Sequence, residues 1–547
     1  MKIALVQLNY HIGNFEENSE KIIREIRRAK NEGANLVVFS ELSVTGYYPH
    51  DLLERKEFIA RAEQAVKKIA GHCRGIAAII GAPTINQGER GKQLHNSAVF
   101  LADGKVRSLH HKTLLPTYDI FDEYRHFEPN NHFEVVEYNG RRLAITVCED
   151  LWDEQPTSNE FGRDKLYLAS PLEELSKQNP GLVINISASP FSYNQENWRK
   201  NILVRKAKKY NLPVIYVNQV GAQAELIFDG GSVVLNSEGE IIRELKYFEE
   251  DFMLVDLENL AGKKLQPETG YIEKIHNALI IGIRDYFRKM GFKKAVLGLS
   301  GGIDSAVTLV LAVEALGAEN VRGLLLPSKF SSAHSIDDAR ELAENLGIRY
   351  DIINIQDAVG RFETGLKPLF NRLPHDITEE NIQARARGVY LMALSNKFGS
   401  ILLNTTNKSE CAVGYGTLYG DMNGGLAVLG DVYKTDVFRL ARFINRHKEI
   451  IPGNSITKPP SAELKPGQKD TDSLPEYDIL DRILFSYIEL NQSPEEIIKQ
   501  GIDEGTVTRV IHMVNINEYK RFQAAPILRI SSKAFGFGRK MPLVAKY

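Results

Sequence analysis

The stretch LGLSGGIDSAVTLVLA, residues 297–312, constrains the fold more than any other part of the chain. An apolar run ends in Ser300, Gly301 and Gly302, and a helix pattern starts at about Asp304 and Ser305, so the sequence predicts a buried strand, a tight turn and a helix. A strand apolar on both faces needs cover on both faces, which the helices of a parallel α/β sheet supply. The segments NVRGLLLP, RYDIINI and SILLNTT read as further buried parallel strands, separated by helices such as SIDDARELAENLG. This half is expected to be doubly wound. At the turn, backbone N–H groups and the helix N-terminus can face an anion, and the two glycines allow close approach. No lysine precedes the Ser305 hydroxyl as it would in GxxxxGK[ST], which argues against γ-phosphoryl transfer of the usual NTPase kind.

One such sheet does not account for 547 residues. In the first half a helical pattern from Phe15 to Glu32 separates the strands KIALVQL and NLVVFSEL, and AAIIGAPT, NSAVFLADGKVRSLHH, RRLAITVC, GLVINIS and LPVIYVNQVG read as later strands. SVVLNSEGEIIREL reads as a hairpin turning at Glu238-Gly239. Hairpins among strand–helix units predict a layered α/β domain with sheets of mixed direction. From Asp256, DLENLAGKKLQPETGY lacks apolar periodicity, so two domains are expected, residues 1–256 and 273–547, joined by a linker over 257–272. A helix is predicted from about Ile272 to Met290. The stretch IPGNSITKPPSAELKPGQKDTDSLPEYD is predicted to be a mobile loop near a site.

Charge and cysteine content exclude several classes. The chain carries 68 Lys and Arg against 70 Asp and Glu, a net charge of −2 that offers no general attraction for nucleic acid or anionic membrane. MKIALVQLNY reads as a first strand, not a signal peptide, and the apolar stretch from Ser305 is too short to span a bilayer. Cys73, Cys148 and Cys411 form no CxxC pair, as expected in a reducing compartment or wherever disulfides are not needed, with the cytoplasm the simplest location.

SGGIDS in its strand–turn–helix setting resembles the pyrophosphate loop of the PP-loop ATP pyrophosphatases, which release PPi and adenylate a substrate. With NTTNKSE (404–410), NIQAR at Asn381, KPPSAEL at Lys458 and NEYKRFQAAP around Glu518, the similarity to NAD+ synthetases covers nearly all of 273–547. The resemblance implies ATP binding by Gly298, Leu299, Ser300, Gly301, Gly302, Ile303, Asp304, Ser305 and Thr405. It implies Mg2+ at Asp304 and Glu410, and deamido-NAD+ binding by Asn381, Glu410 and Lys520. Cys411 reads as a small core residue.

Amidation of an adenylated carboxylate needs ammonia, which a glutamine-hydrolysing domain can supply. An N-terminal nucleophile is excluded by Lys2, and a Cys-His-Glu arrangement lacks a histidine between Cys148 and the linker. Glu41, Lys112 and Cys148 each follow a strand-like run, in the order used by nitrilase-like amidases, and the surrounding words SELSVTGYYPHDLL, HKTLLPTYDIFDEYRHF and CEDLW resemble that family over most of 1–255. The resemblance implies an N-terminal nitrilase-like α-β-β-α sandwich in which Glu41 is the base, Lys112 the cation and Cys148 the nucleophile. It places Tyr118, Ser189 and Gln195 around L-glutamine, the last where relatives carry a basic residue. Glu149 and Asp150 directly follow the nucleophile, so they are expected to point away from its sulfur or to be neutralised by hydrogen bonds.

Taken together, the resemblance implies glutamine-dependent amidation of deamido-NAD+ to NAD+ with ATP cleaved to AMP and PPi, an internal path for ammonia and a homo-oligomer. The residues themselves also admit a PP-loop amidotransferase with another acceptor, or a nucleotide-binding protein without turnover.

Overall fold

The computed structural model describes residues 1–154, 166–259, 262–371 and 373–546. The chain forms two compact units, Met1–Glu268 and Thr269–Tyr547. Leu260 and Ala261, inside the expected linker, lie outside the described residues. The following residues are not loose: the Lys264 N–H donates to the Ile242 carbonyl and its carbonyl accepts from the Glu244 N–H, which ties this end of the segment to the first unit.

In the first unit, one sheet has the spatial order Asp251–Asp256, Lys2–Gln7, Leu36–Val38, Ala77–Ile85, Leu94–Ala102, Lys105–His111. The other runs Ile241–Glu244, Val233–Leu235, Val214–Asn218, Leu182–Ser187, Arg141–Val147, Val136–Tyr138. Both are parallel at the centre and antiparallel toward the edges. Their facing sides meet in a core of Ile3, Leu5, Val38 and Ile79 against Ile145, Val147, Ile184 and Val217. The alternate residues Ala4, Val6 and Val37 pack under the helices Phe15–Asn31 and Lys56–Ala70 through Ile22, Ile26, Ala62 and Ile69. Val183 and Tyr216 do the same with Leu172 of Pro171–Ser176 and Leu203 of Gln195–Tyr210. This is the α-β-β-α sandwich. Each fully buried branched residue contributes about 1.5–3 kcal/mol, so the period-2 pattern of both sheets fixes register strongly.

Two strands are shorter than their apolar runs. NLVVFSEL pairs only over Leu36–Val38 before the chain turns away at Leu42, whose φ is +45°. NSAVFLADGKVRSLHH is a hairpin, not one strand, turning at Asp103 and Gly104 with φ of +53° and +79°.

The second unit contains a five-stranded parallel sheet ordered Arg349–Ile352, Val321–Leu325, Lys294–Gly298, Ser400–Asn404, Leu426–Ala427. The earliest strand is central and the order reverses on it, so a crevice opens at its C-terminal end, where Ser300–Ser305 lies. A layer of helices, among them Lys408–Val413, Tyr477–Leu484 and Glu504–Ile516, packs beside the sheet. Among the described residues no helix is long and apolar enough to cross a membrane.

Candidate active sites

In the first unit the three residues expected to act together do converge. Lys112 follows the strand Lys105–His111 and Cys148 follows Arg141–Val147, while Glu41 lies in the turn after Leu36–Val38. That turn needs Gly81: a Cβ there would lie 2.1 Å from the Leu42 nitrogen and 2.6 Å from the Glu41 carbonyl carbon. The Lys112 Nζ donates to Glu41 Oε1 at 2.8 Å, and Glu41 also accepts from Asn96 Nδ2 at 2.7 Å and from the Ala188 N–H at 2.9 Å. Lys112 makes a second 2.8 Å bond, to Glu123 Oε1, which in turn accepts from the Tyr47 hydroxyl at 2.6 Å. Burial opposes the Lys112 charge, yet Glu123 and Glu41 hold its pKa well above the usual value. Glu123 itself is pushed up by burial, with Lys112 opposing.

Cys148 is buried with φ of +44°, at the first residue beyond its strand. Burial, then the Glu41 charge, push its thiol well up, and Lys112 acts in the opposite direction. The resting state is therefore a thiol beside a carboxylate base and a fixed ammonium, an arrangement suited to proton transfer coupled to attack.

The carboxylates that follow Cys148 are both satisfied. Asp150 Oδ1 accepts from the Thr113 and Leu114 N–H groups at 2.9 Å each, and Oδ2 from the Val147 N–H at 3.0 Å. Glu149 Oε1 accepts from the hydroxyls of Tyr118 at 2.8 Å and Tyr167 at 3.0 Å. Burial raises Glu149 to about 7 and Asp150 to about 6 against these hydrogen bonds. Tyr118 is thereby tied to the residue beside the sulfur. Ser189 follows Ala188, the Glu41 partner, and is held by Asn218, whose Oδ1 accepts from its N–H at 2.9 Å. Gln195 opens the helix Gln195–Tyr210 with an uncharged side chain.

Glu123 has no counterpart among the residues singled out from the sequence. It sits in a single turn, Glu123–Arg125, too short to leave a periodic signal, although it lies within HKTLLPTYDIFDEYRHF.

In the second unit a cavity at the sheet's switch point is lined by Gly298, Leu299, Ser300, Gly302, Ile303, Asp304, Ser305, Thr405 and Glu410. Gly301, at φ of +74°, lies against the helix Ala333–Asn345, where a Cβ would come within 2.1 Å of the Ser335 carbonyl oxygen. Gly302 caps the helix Ile303–Leu316 without a side chain, which leaves the first N–H groups for an anion. Asp304 accepts from Asn407 Nδ2 at 2.8 Å and from Lys434 Nζ at 2.5 Å, and Lys434 also reaches Glu410 Oε1 at 3.2 Å. Burial raises Glu410, opposed by Lys434 and reinforced by Asp304. Two hard carboxylate donors thus converge on one cation position, a donor set that fits Mg2+.

Asn381 and Lys520 do not line this cavity directly. Asn381 Oδ1 accepts from the Thr417 hydroxyl at 2.7 Å, and Lys520 Nζ donates to the carbonyls of Gly414 at 2.7 Å and Gly416 at 2.9 Å, so both hold the glycine-rich turn after Lys408–Val413. The Pro- and Lys-rich segment lies along the cavity: Lys458 and Glu463 line it, and Glu463 Oε1 accepts from the hydroxyls of Ser332 at 2.9 Å and Ser335 at 2.7 Å. Cys411 is buried and its thiol is pushed up to about 12, as a core residue.

Residues 2–263 match the carbon-nitrogen hydrolase family and residues 275–524 the NAD synthase family. A glutamine-dependent NAD(+) synthetase of Synechocystis is 47% identical over all of this chain and 99% of its own length, and one of Thermotoga maritima is 42% identical with the same coverage. The solved structure of a glutamine-dependent NAD+ synthetase from Acinetobacter baumannii, in complex with ADP, is 40% identical, covers 99% of this chain and 98% of its own, and superposes with a TM-score of 0.78. With both halves matched in order and the whole length aligned at this identity, the chain belongs to the glutamine-dependent NAD+ synthetase family.

Proposed function

We propose that the chain hydrolyses L-glutamine at Cys148 and uses the ammonia, with ATP, to amidate deamido-NAD+ in its second unit, acting as a ligase that forms a C–N bond. The convergence of Glu41 and Lys112 on Cys148, in a chain that also carries the Ser300–Ser305 anion loop, supports this most.

Glu41 takes the Cys148 proton as the sulfur attacks the carboxamide carbon, and Lys112 stabilises the oxyanion that forms. The proton passes to the leaving nitrogen, ammonia departs, and a thioester remains. Glu41 then activates water, and glutamate is released. Tyr118 and Ser189 orient the substrate, with Gln195 at the position facing its carboxylate end.

In the second unit the nicotinate carboxylate of deamido-NAD+ attacks the α-phosphorus of ATP, and PPi leaves into the N–H groups of Ser300–Ser305. Gly298, Leu299 and Thr405 bound the nucleotide, while Asn381, Glu410 and Lys520 shape the deamido-NAD+ side. Mg2+ held by Asp304 and Glu410 would offset the phosphate charge. Ammonia displaces AMP and NAD+ results. A homo-oligomer that shields ammonia from protonation and a cytoplasmic location complete the proposal; three unpaired thiols suit a reducing compartment.

Incubation with ATP, glutamine and deamido-NAD+ tests it. NAD+, AMP, PPi and glutamate are expected in equal amounts; glutamate without NAD+ and AMP would reject the amidation.

A further inference from the structure

We propose that Asn218, oriented by the buried Arg199–Asp229 ion pair, is a positioning residue for Glu41: it grips the Ala188–Ser189 segment, whose Ala188 N–H holds the Glu41 carboxylate. The inference rests on the assignment of Glu41 as the base that serves Cys148. Its starting point is the sheet. Arg141–Val147, Leu182–Ser187 and Val214–Asn218 are parallel neighbours with Ser187 opposite Asn218, so Cys148, Ala188 and Asn218 lie at the same end of adjacent strands. Asn218 is two strands from Cys148, about 9–10 Å at ordinary strand spacing, and so does not touch the reacting atoms. It acts through the strand between them.

The Ala188 N–H donates to Glu41 Oε2 at 2.9 Å. The next residue is held by both of its backbone groups: the Ser189 N–H donates to Asn218 Oδ1 at 2.9 Å, and the Ser189 carbonyl accepts from Asn218 Nδ2 at 3.3 Å. Pro190 has no N–H to give, and the Phe191 N–H donates to the Ile227 carbonyl at 2.6 Å. At Ser189, then, a side chain and not the sheet sets the path of the segment that meets Glu41.

An amide grips in this way only if its two ends cannot exchange. Asn218 Nδ2 also donates to the Gly230 carbonyl at 3.1 Å and lies 3.5 Å from Asp229 Oδ1, so this end faces oxygens throughout while Oδ1 faces an N–H. A flipped amide would set oxygen against oxygen at each contact. Asp229 is fixed in turn by the Arg199 guanidinium, Nη1 to Oδ1 at 2.9 Å and Nη2 to Oδ2 at 2.8 Å, with both side chains 2% exposed. Paired bonds set the carboxylate plane as well as its distance. The Asn218 backbone is held too: its N–H donates to Ser232 Oγ at 3.0 Å, and that hydroxyl donates to Gln7 Oε1 at 2.8 Å. Gly230 admits Gln7, because a Cβ there would lie 2.2 Å from Gln7 Nε2. A buried ion pair adds little stability over apolar side chains of its volume, so what Arg199 and Asp229 contribute is geometry.

Alkylation of Cys148 by iodoacetamide in the full chain, followed on the Cys148 peptide by mass spectrometry, reads Glu41 without requiring glutamine. The sulfur–carbon bond forms, iodide leaves and Glu41 takes the thiol proton, so Glu41→Gln gives the rate without a base. Asn218→Ser removes the grip and should slow alkylation about 10–100-fold, toward the Glu41→Gln rate. Arg199→Met/Asp229→Leu removes both charges at similar volume; it should keep the parent's denaturant midpoint and slow alkylation by a smaller factor. Packing damage alone acts in the opposite direction, since a loosened core exposes the Cys148 thiol and speeds its reaction. Alkylation as fast as the parent's in cooperatively folded Asn218→Ser would overturn the proposal; if that variant does not fold, the same result in Arg199→Met/Asp229→Leu would overturn it. Equal rates in the parent and Glu41→Gln would overturn both the proposal and the base assignment. A parent that releases no glutamate from glutamine, yet shows slower alkylation in Glu41→Gln and Asn218→Ser, would reject the substrate and uphold the positioning.

Discussion

Lys112 in the first unit and Lys434 in the second are each held between two carboxylates, but their surroundings differ. Lys112, Glu41 and Glu123 are at most 1% exposed, whereas Asp304 and Glu410 are 18% and 15% exposed toward the cavity that Lys434 helps to line. Removing one partner of a sealed ion cluster strands an uncompensated charge, so the first trio is permanent. In the second, the carboxylates can exchange the lysine for an incoming cation, as ATP binding with Mg2+ would require. The same pairing therefore holds a fixed buried cation in one place and makes a more open cation position in the other.

The largest expected effects separate the two lysines. Lys112→Met should destabilise the chain by about 3–5 kcal/mol in denaturant unfolding, and should abolish NAD+ formation from glutamine while sparing synthesis from ammonium salts. Lys434→Met should cost less than about half of that and should abolish synthesis from both nitrogen sources. Equal destabilisation by the two would break the distinction. Withholding Mg2+ sharpens it: AMP formation should stop while glutamate release continues.

Smaller effects test the neighbours. Glu123→Gln keeps the shape but loosens Lys112, so glutamine hydrolysis should fall about 10²-fold with ammonium-dependent synthesis unchanged. For Glu149 the sign follows from its raised pKa. Between about 4.5 and about 7 the folded chain binds a proton that the unfolded chain does not, so this group destabilises above about 7 and the penalty fades as pH falls through that window. Glu149→Gln, which keeps an acceptor for Tyr118 and Tyr167, should raise the melting temperature above pH 7 by the equivalent of about 1–3 kcal/mol and lose that advantage near pH 4.5. A gain independent of pH would remove Glu149 as its cause.

Much of this was legible in the sequence because chemistry sits at strand ends. Lys112 and Cys148 directly follow alternating or apolar runs, and the glycines of SGGIDS mark a turn no bulkier residue could make at Gly301. Glu123 was not legible as a participant: a one-turn segment has no period, and its role exists only through contacts with Lys112 and Tyr47 made across the fold. The hairpin at Asp103-Gly104 did carry a turn signal, which the continuous apolar run on its first side obscured. Asn381 and Lys520 illustrate a different limit. The resemblance implies a ligand for both, and their contacts with the glycine-rich turn at Gly414–Thr417 are tertiary ones that no local pattern encodes.

Cys148→Ala assayed with each nitrogen source tests the central claim most directly. NAD+ formation from glutamine should be lost and formation from ammonium salts, with ATP and deamido-NAD+, retained. Undiminished glutamine-dependent synthesis by Cys148→Ala would contradict the assignment of Cys148 as the nucleophile that feeds the second unit.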